Sequence, residues 1–240
     1  PRSTLFPYTT LFRSNYDKIL LNRKLCFEIG TTDILKYLFF AAVLKEDFEL
    51  AAKTGSLIEN AEDQLPDELK PSFKAYYGEV LYFQNQPQKA LEYFLKTDDI
   101  HLLLNIFKDL AMNPEKDETK LKSLLQSFLE QKENKNFANF LCGYTFSLLE
   151  DNQNAEKLLD KVSADFIKEN NLYFTAAMAY LLNRINTAKA EIILHLREEN
   201  NPSADEFIGF FYYNTGNDSL AYKFFSKDIA SNPNPSARVF

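Results

Sequence analysis

Three pairs of small residues, Gly78 with Ala90, Gly143 with Ala155 and Gly209 with Ala221, each stand twelve residues apart. A glycine inside a helix costs about 1 kcal/mol relative to alanine, so a recurring one marks a place where a neighbouring helix must approach closely. The spacing is that of stacked helical hairpins, an architecture that presents an extended surface to another molecule more often than it carries out a reaction.

Composition agrees with a helical chain. With 45% apolar and 25% charged residues the 240-residue chain is expected to fold, as one domain or as a run of six or seven short repeats. It holds only 6 glycines and 9 prolines, and alternating runs of Val, Ile and Thr are scarce, which favours an all-α class. Acidic and basic residues are mixed along the sequence at a net charge of −7. Nucleic acid is therefore an unexpected partner, since phosphate binding needs a concentrated basic face.

Chemistry-bearing signals are few. The two cysteines, Cys26 and Cys142, lie far apart and form no C-x-x-C pair. Neither His101 nor His195 has a second ligand at a convincing spacing, and His195, at a second-helix position that normally packs, reads as a structural histidine. Cys142 precedes Gly143 and reads as a small buried hydrophobe. The acidic groups Glu46, Asp47 and Glu49, and Glu59, Glu62 and Asp63, could hold a metal or act as paired acids, but solvated helix faces give the same pattern. No nucleotide-binding, zinc-protease or serine-hydrolase fingerprint occurs, so no cofactor, no metal and no enzymatic activity are expected.

The first fourteen residues stand apart. Thr4 to Ser14 reads TLFPYTTLFRS, which resembles the translation of a short-read sequencing adapter, and residues 1–14 are expected to be a non-native scar outside the fold. With the native start missing, the compartment stays open between cytoplasm and periplasm. The apolar run Ile34 to Leu44 is too short for a membrane span, which needs about 20 residues.

From Asn15 onward, apolar residues recur at three- and four-residue intervals between polar patches such as Asn85 to Pro87, Asn113 with Pro114, Asp151 to Asn154, Asn183 to Asn186 and Asn214 to Asp218. The last unit, IGFFYYNTGNDSLAYKFFSKDIASNPN from Ile208 to Asn234, resembles a tetratricopeptide repeat. It carries that family's small residues as Gly209 and Ala221, its aromatic as Phe225, its turn glycine as Gly216 and its closing proline as Pro233. Gly143, Ala155 and Leu159 repeat the pattern, as do Gly78, Ala90 and Phe94, and Ala176 with Ala188 and Ile192 keeps the spacing. The clearest units are 71–100, 136–163, 169–199 and 202–234; a divergent hairpin fills Ile100 to Gln131, and 15–64 is helical without a register.

The resemblance implies a right-handed α-solenoid over residues 15–240 that binds a protein or peptide in a concave groove; the chain is expected to be a fragment of a longer one, and its richness in Asn, Lys, Phe and Tyr points to AT-rich coding of the kind common in bacteria. Carried over by position, the groove contacts would be Tyr82, Phe83, Phe137, Phe140, Tyr144, Tyr173, Tyr180, Phe210 and Tyr213. The competing reading is that these rings pack between successive first helices, as aromatic stripes at helical spacing usually do. The position used by carboxylate-clamping members holds Glu79, Tyr144, Ala177 and Phe210 in place of Asn, so a clamp on a chain terminus is not expected. Two alternatives stay open: a fragment of an α/α-toroid carbohydrate-active enzyme, and the helical tail of a membrane-anchored or exported protein. A stack without polar caps would expose apolar ends, so self-association is expected.

Overall fold

The computed structural model describes residues 16–173, 175–176, 178–179 and 204–231. The chain divides into two compact units, Pro1–Lys132 and Glu133–Phe240, each taken by itself below. Every regular element among the described residues is helical.

In the first unit, helical residues 16–21 lead into α1 (Arg23–Ile29), which packs on α2 (Thr32–Leu44). Helix α2 pairs with α3 (Phe48–Glu59), and α4 (Lys70–Phe83) pairs with α5 (Pro87–Leu95). Next come α6 (Ile100–Met112) and α7 (Glu118–Gln131), with α6 against α4 and α7 against α5. The second unit holds the hairpin α8 (Lys135–Leu148) and α9 (Asn152–Leu159), the short α10 (Ala164–Glu169), and the hairpin α11 (Ala204–Asn214) and α12 (Asp218–Ser231). Starts are set by local chemistry: the side chains of Asp47, Asp99, Asp117, Asn134, Asp151 and Ser163 each accept a hydrogen bond from a first-turn amide of the helix they precede.

One turn recurs in four hairpins. Glu46, Asn85, Glu150 and Gly216 adopt left-handed backbone, with φ of 60°, 59°, 59° and 77°. The next residue's amide reaches back over that turn, Asp47 to the Ala42 carbonyl, Gln86 to Leu81, Asp151 to Phe146 and Asn217 to Tyr212, at 2.8 to 3.0 Å. That same residue starts the second helix, its carbonyl accepting the amide of Ala51, Ala90, Ala155 or Ala221. The twelve-residue spacing follows: seven residues from the glycine to the left-handed position, one to the cap, four to the alanine.

Counting back from Glu46 brings the hairpin α2–α3 into the register that its sequence hides. Phe39 stands at the glycine position, and Gly55 stands where the other second helices carry Phe94, Leu159 or Phe225. The contact is the same with its halves exchanged. A Cβ on Gly78 would lie 2.8 Å from Phe94, one on Gly143 2.8 Å from Leu159 and one on Gly209 2.5 Å from Phe225; one on Gly55 would lie 3.2 Å from the Phe39 ring and 2.5 Å from Tyr77. Each hairpin thus fits a bulky side chain into a gap left by a missing Cβ on the facing helix.

The hairpin α6–α7 has no such pair, and its two helices meet through rings, with Phe107 and Phe128 centroids 6.1 Å apart. Its backbones come close at few points, and α6 and α7 pack instead on α4 and α5. The sequence breaks at 183–186 and 200–202, and the Ala188 and Ile192 positions, lie outside the described residues.

Candidate functional site

The nine aromatics singled out by register divide by exposure. Tyr82, Phe137, Phe140 and Tyr144 are buried, with relative exposures of 5%, 4%, 0% and 9%. Phe83, Tyr173 and Phe210 are half-buried, and Tyr213 is 61% exposed. Tyr180 lies outside the described residues.

Local packing explains the buried set. The Lys120 ammonium of α7 sits 4.2 Å from the Tyr82 ring centroid and donates to the Tyr82 carbonyl at 2.8 Å, capping the end of α4 and covering its ring. Burial, with the nearby Asp117 carboxylate, pushes the Tyr82 phenol up to about 12, while burial lowers the Lys120 ammonium and Asp117 works against that lowering. Phe83 stacks on Phe48 at 4.2 Å, and Phe140 meets Phe166 of α10 at 6.4 Å. Burial also raises the Tyr144 phenol. Rings as enclosed as Phe140 offer no surface to a ligand, so in α4 and α8 the aromatic stripe fills the interior of each unit.

In α11 the stripe faces outward. Phe210 packs edge-on against Phe225 at 5.1 Å and stays half-buried, while Tyr213, one turn on, is exposed. This one-turn pair of rings, with Asp205 half-buried near the helix start, includes the most exposed described ring of the sequence-defined site.

A second constellation lies where α3, α4 and α5 converge. Glu59, at the end of α3, accepts from the Tyr93 hydroxyl at 2.5 Å, from Lys89 Nζ at 2.9 Å and from the Tyr77 hydroxyl at 3.3 Å. Gly55, one turn earlier, leaves the space into which the Tyr77 ring enters. Burial alone would raise the Glu59 carboxyl; the hydrogen bonds from Tyr93 and Lys89, the Lys89 charge and the Tyr77 hydroxyl outweigh it and hold the group below its ordinary value. The tyrosines respond oppositely, chiefly through burial and then through the Glu59 carboxylate: Tyr77 rises to about 12 and Tyr93 rises further. A carboxylate kept ionised by two phenols and an ammonium is a tie between three helices; a general acid would need the reverse shift.

Of the acidic groups marked in the sequence, Glu59 is this tie and Glu62 pairs with Lys74 at 3.0 Å. Glu46 and Asp47 form a hairpin turn in place of the helix face expected there. Among the described residues no group of three or more His, Cys, Asp or Glu side chains is placed to hold a metal. Cys142 is fully buried and its thiol pushed up by burial, which disfavours the reactive thiolate. His101 is exposed, and His195 lies outside the described residues. No helix among the described residues is long and apolar enough to cross a membrane.

Sequence reasoning missed Lys120 and the partners of Glu59, because their significance depends on which helix lies opposite. It missed Lys132 as well. That side chain, just past α7 and 7% exposed, donates from Nζ to the Leu95 carbonyl at 3.0 Å, the Thr97 carbonyl at 2.9 Å and Asp98 Oδ1 at 2.7 Å.

Comparison with known protein families and with curated proteins finds no match to this chain.

The Glu59 tie makes an acid-stability prediction. A carboxyl held below its unfolded value, about 4.3 for a free Glu, binds its proton more readily when the chain unfolds, so its stabilisation is present above that value and is lost as pH falls through the folded value. Glu59→Gln is expected to flatten this part of the decline when urea midpoints are followed from about pH 7 to pH 3. A variant losing stability as steeply as the parent over that range would show that Glu59 contributes no such linkage.

Proposed function

We propose that the chain is a tetratricopeptide-like α-solenoid that acts without catalysis, as an interaction scaffold for a peptide or partner protein. Three features support the solenoid: the same left-handed turn in four hairpins, the same filled gap beside it, and, in the first unit, the stacking of α6 on α4 and α7 on α5. In the first unit Phe39 of α2 packs on Phe73 and Tyr77 of α4, and Phe94 of α5 packs on Phe107 of α6, which is how a one-dimensional stack is stabilised.

The observation that carries the binding reading is Tyr213. It occupies the first-helix position that Tyr82 occupies in its own hairpin, yet it is 61% exposed where Tyr82 is 5%. A large ring with a hydroxyl, exposed beside a half-buried Phe210, is the kind of residue that dominates binding energy when a partner covers it. In this reading Tyr82, Phe137, Phe140 and Tyr144 build the scaffold, and Tyr213, Phe210 and the half-buried Tyr173 are left for the partner.

The test is selection of peptides from a displayed random library on the whole chain. Tyr213→Ala is expected to weaken selected peptides by about 30-fold or more, the effect of losing a hot-spot tyrosine. Tyr144→Phe, which removes a buried hydroxyl, is expected to leave binding unchanged. Peptides that bind Tyr213→Ala and Phe210→Ala as tightly as the parent, or a library that yields none, would contradict the reading.

A further inference from the structure

Three of the four most exposed large apolar side chains described in the first unit lie together near its beginning, the fourth being Met112 at the end of α6. Leu21, Leu25 and Ile29 follow one another at four-residue intervals along residues 16–21 and α1, with relative exposures of 83%, 52% and 50%. An open groove of about 730 Å³, lined by Asp17, Leu20, Leu21, Arg23, Lys24 and Glu28, runs along one side of this ridge. Another of about 560 Å³, lined by Ile19, Leu25, Cys26, Ile34 and Tyr37 among others, runs along the opposite side, and Tyr37 is itself 41% exposed. A ridge between two grooves is the shape of one helix ready to lie beside another.

Charge on this face identifies the occupant. Asp17 is engaged by Lys45 at 2.9 Å, whereas no ion pair among the described residues engages Lys18 or Glu28. These opposite charges are placed symmetrically about position 23, and so are Leu21 with Leu25, Ile19 with Phe27 and Leu20 with Cys26. When two such helices lie antiparallel about a two-fold axis beside position 23, Leu21 of each faces Leu25 of the other and Lys18 of each faces Glu28 of the other. At helical spacing, 18, 21, 25 and 28 share one face.

We infer that this face pairs with the same face of a second copy of the chain, forming a two-fold antiparallel dimer. The surface is self-complementary, as an isologous contact requires. A contact between single short helices falls below the roughly 1,200 Å² of a standard interface, so the dimer is weak and concentration-dependent. It does not rest on the scaffold reading: Tyr213 lies in the other unit, and peptide binding there and pairing here can fail independently.

Sedimentation equilibrium of the whole chain from about 5 to 500 μM tests the pairing. A reversible monomer–dimer equilibrium is expected, with Leu21→Glu, whose side chain is too exposed to threaten folding, lowering association at least about tenfold. Lys18→Glu and Glu28→Lys should each weaken it several-fold, and the double variant Lys18→Glu/Glu28→Lys should restore it, because the reversed charges again face each other. A monomer throughout, which would leave the face to a different partner, overturns the inference. So does a dimer indifferent to Leu21→Glu, or a double variant as weak as the singles.

Discussion

Gly55→Ala should destabilise the first unit by about 2 kcal/mol, although alanine is by about 1 kcal/mol the better helix former. The added Cβ would lie 2.5 Å from two carbons of the Tyr77 ring and 3.2 Å from Phe39. Neither ring can step aside easily. Tyr77 is 2% exposed, stacks on Phe73 at 5.4 Å and is held at its hydroxyl by Glu59, while Phe39 is fully buried. The cost would appear as a lower urea midpoint with an unchanged slope. A variant as stable as the parent would mean that the helices can part at this point.

Lys132→Met is expected to cost about 2 to 3 kcal/mol. Methionine preserves the buried stem but leaves the Leu95 and Thr97 carbonyls, at the end of α5, without the cation that they accept from. Hydrogen bonds to a charged donor are among the stronger ones, and a positive charge at a helix C-terminus is favourable in its own right. Asp98 contributes little: its side chain is 91% exposed, and Asp98→Asn should change stability by less than about 1 kcal/mol. Thermal unfolding of both variants separates the two roles. Equal losses would place the energy in the exposed ion pair, against this account.

The three Gly/Ala pairs made three hairpins readable in the sequence, because a mid-helix glycine has few reasons to exist apart from close packing. The hairpin α2–α3 escaped for an equally physical reason. It makes the same contact from opposite sides, Phe39 supplying the ring and Gly55 the gap, so a search for glycine on the first helix passes over it. Its turn was hidden as well, since Glu46 takes a left-handed conformation that usually calls for Gly or Asn, and Glu150 does the same in α8–α9.

The candidate site was legible as a stripe and illegible as a surface. Helical spacing put Tyr82, Tyr180 and Tyr213 at matching places, but exposure depends on what lies over each ring. Tyr82 is covered by Lys120, 38 residues further along the chain, and nothing near Tyr82 in sequence announces that. Lys132 shows the same limit. It is one lysine among many in composition, and only the approach of α7 to the end of α5 makes it a cap.

The register itself is tested most directly by the unfolding free energies of Gly78→Ala, Gly143→Ala and Gly209→Ala. Their added Cβ atoms would fall 2.8, 2.8 and 2.5 Å from Phe94, Leu159 and Phe225, so all three variants are expected to lose stability, by about 1 to 3 kcal/mol. If these glycines were ordinary helix positions, alanine would instead stabilise each by up to about 1 kcal/mol. A gain of that size at the three positions would contradict a repeated hairpin built around a missing Cβ.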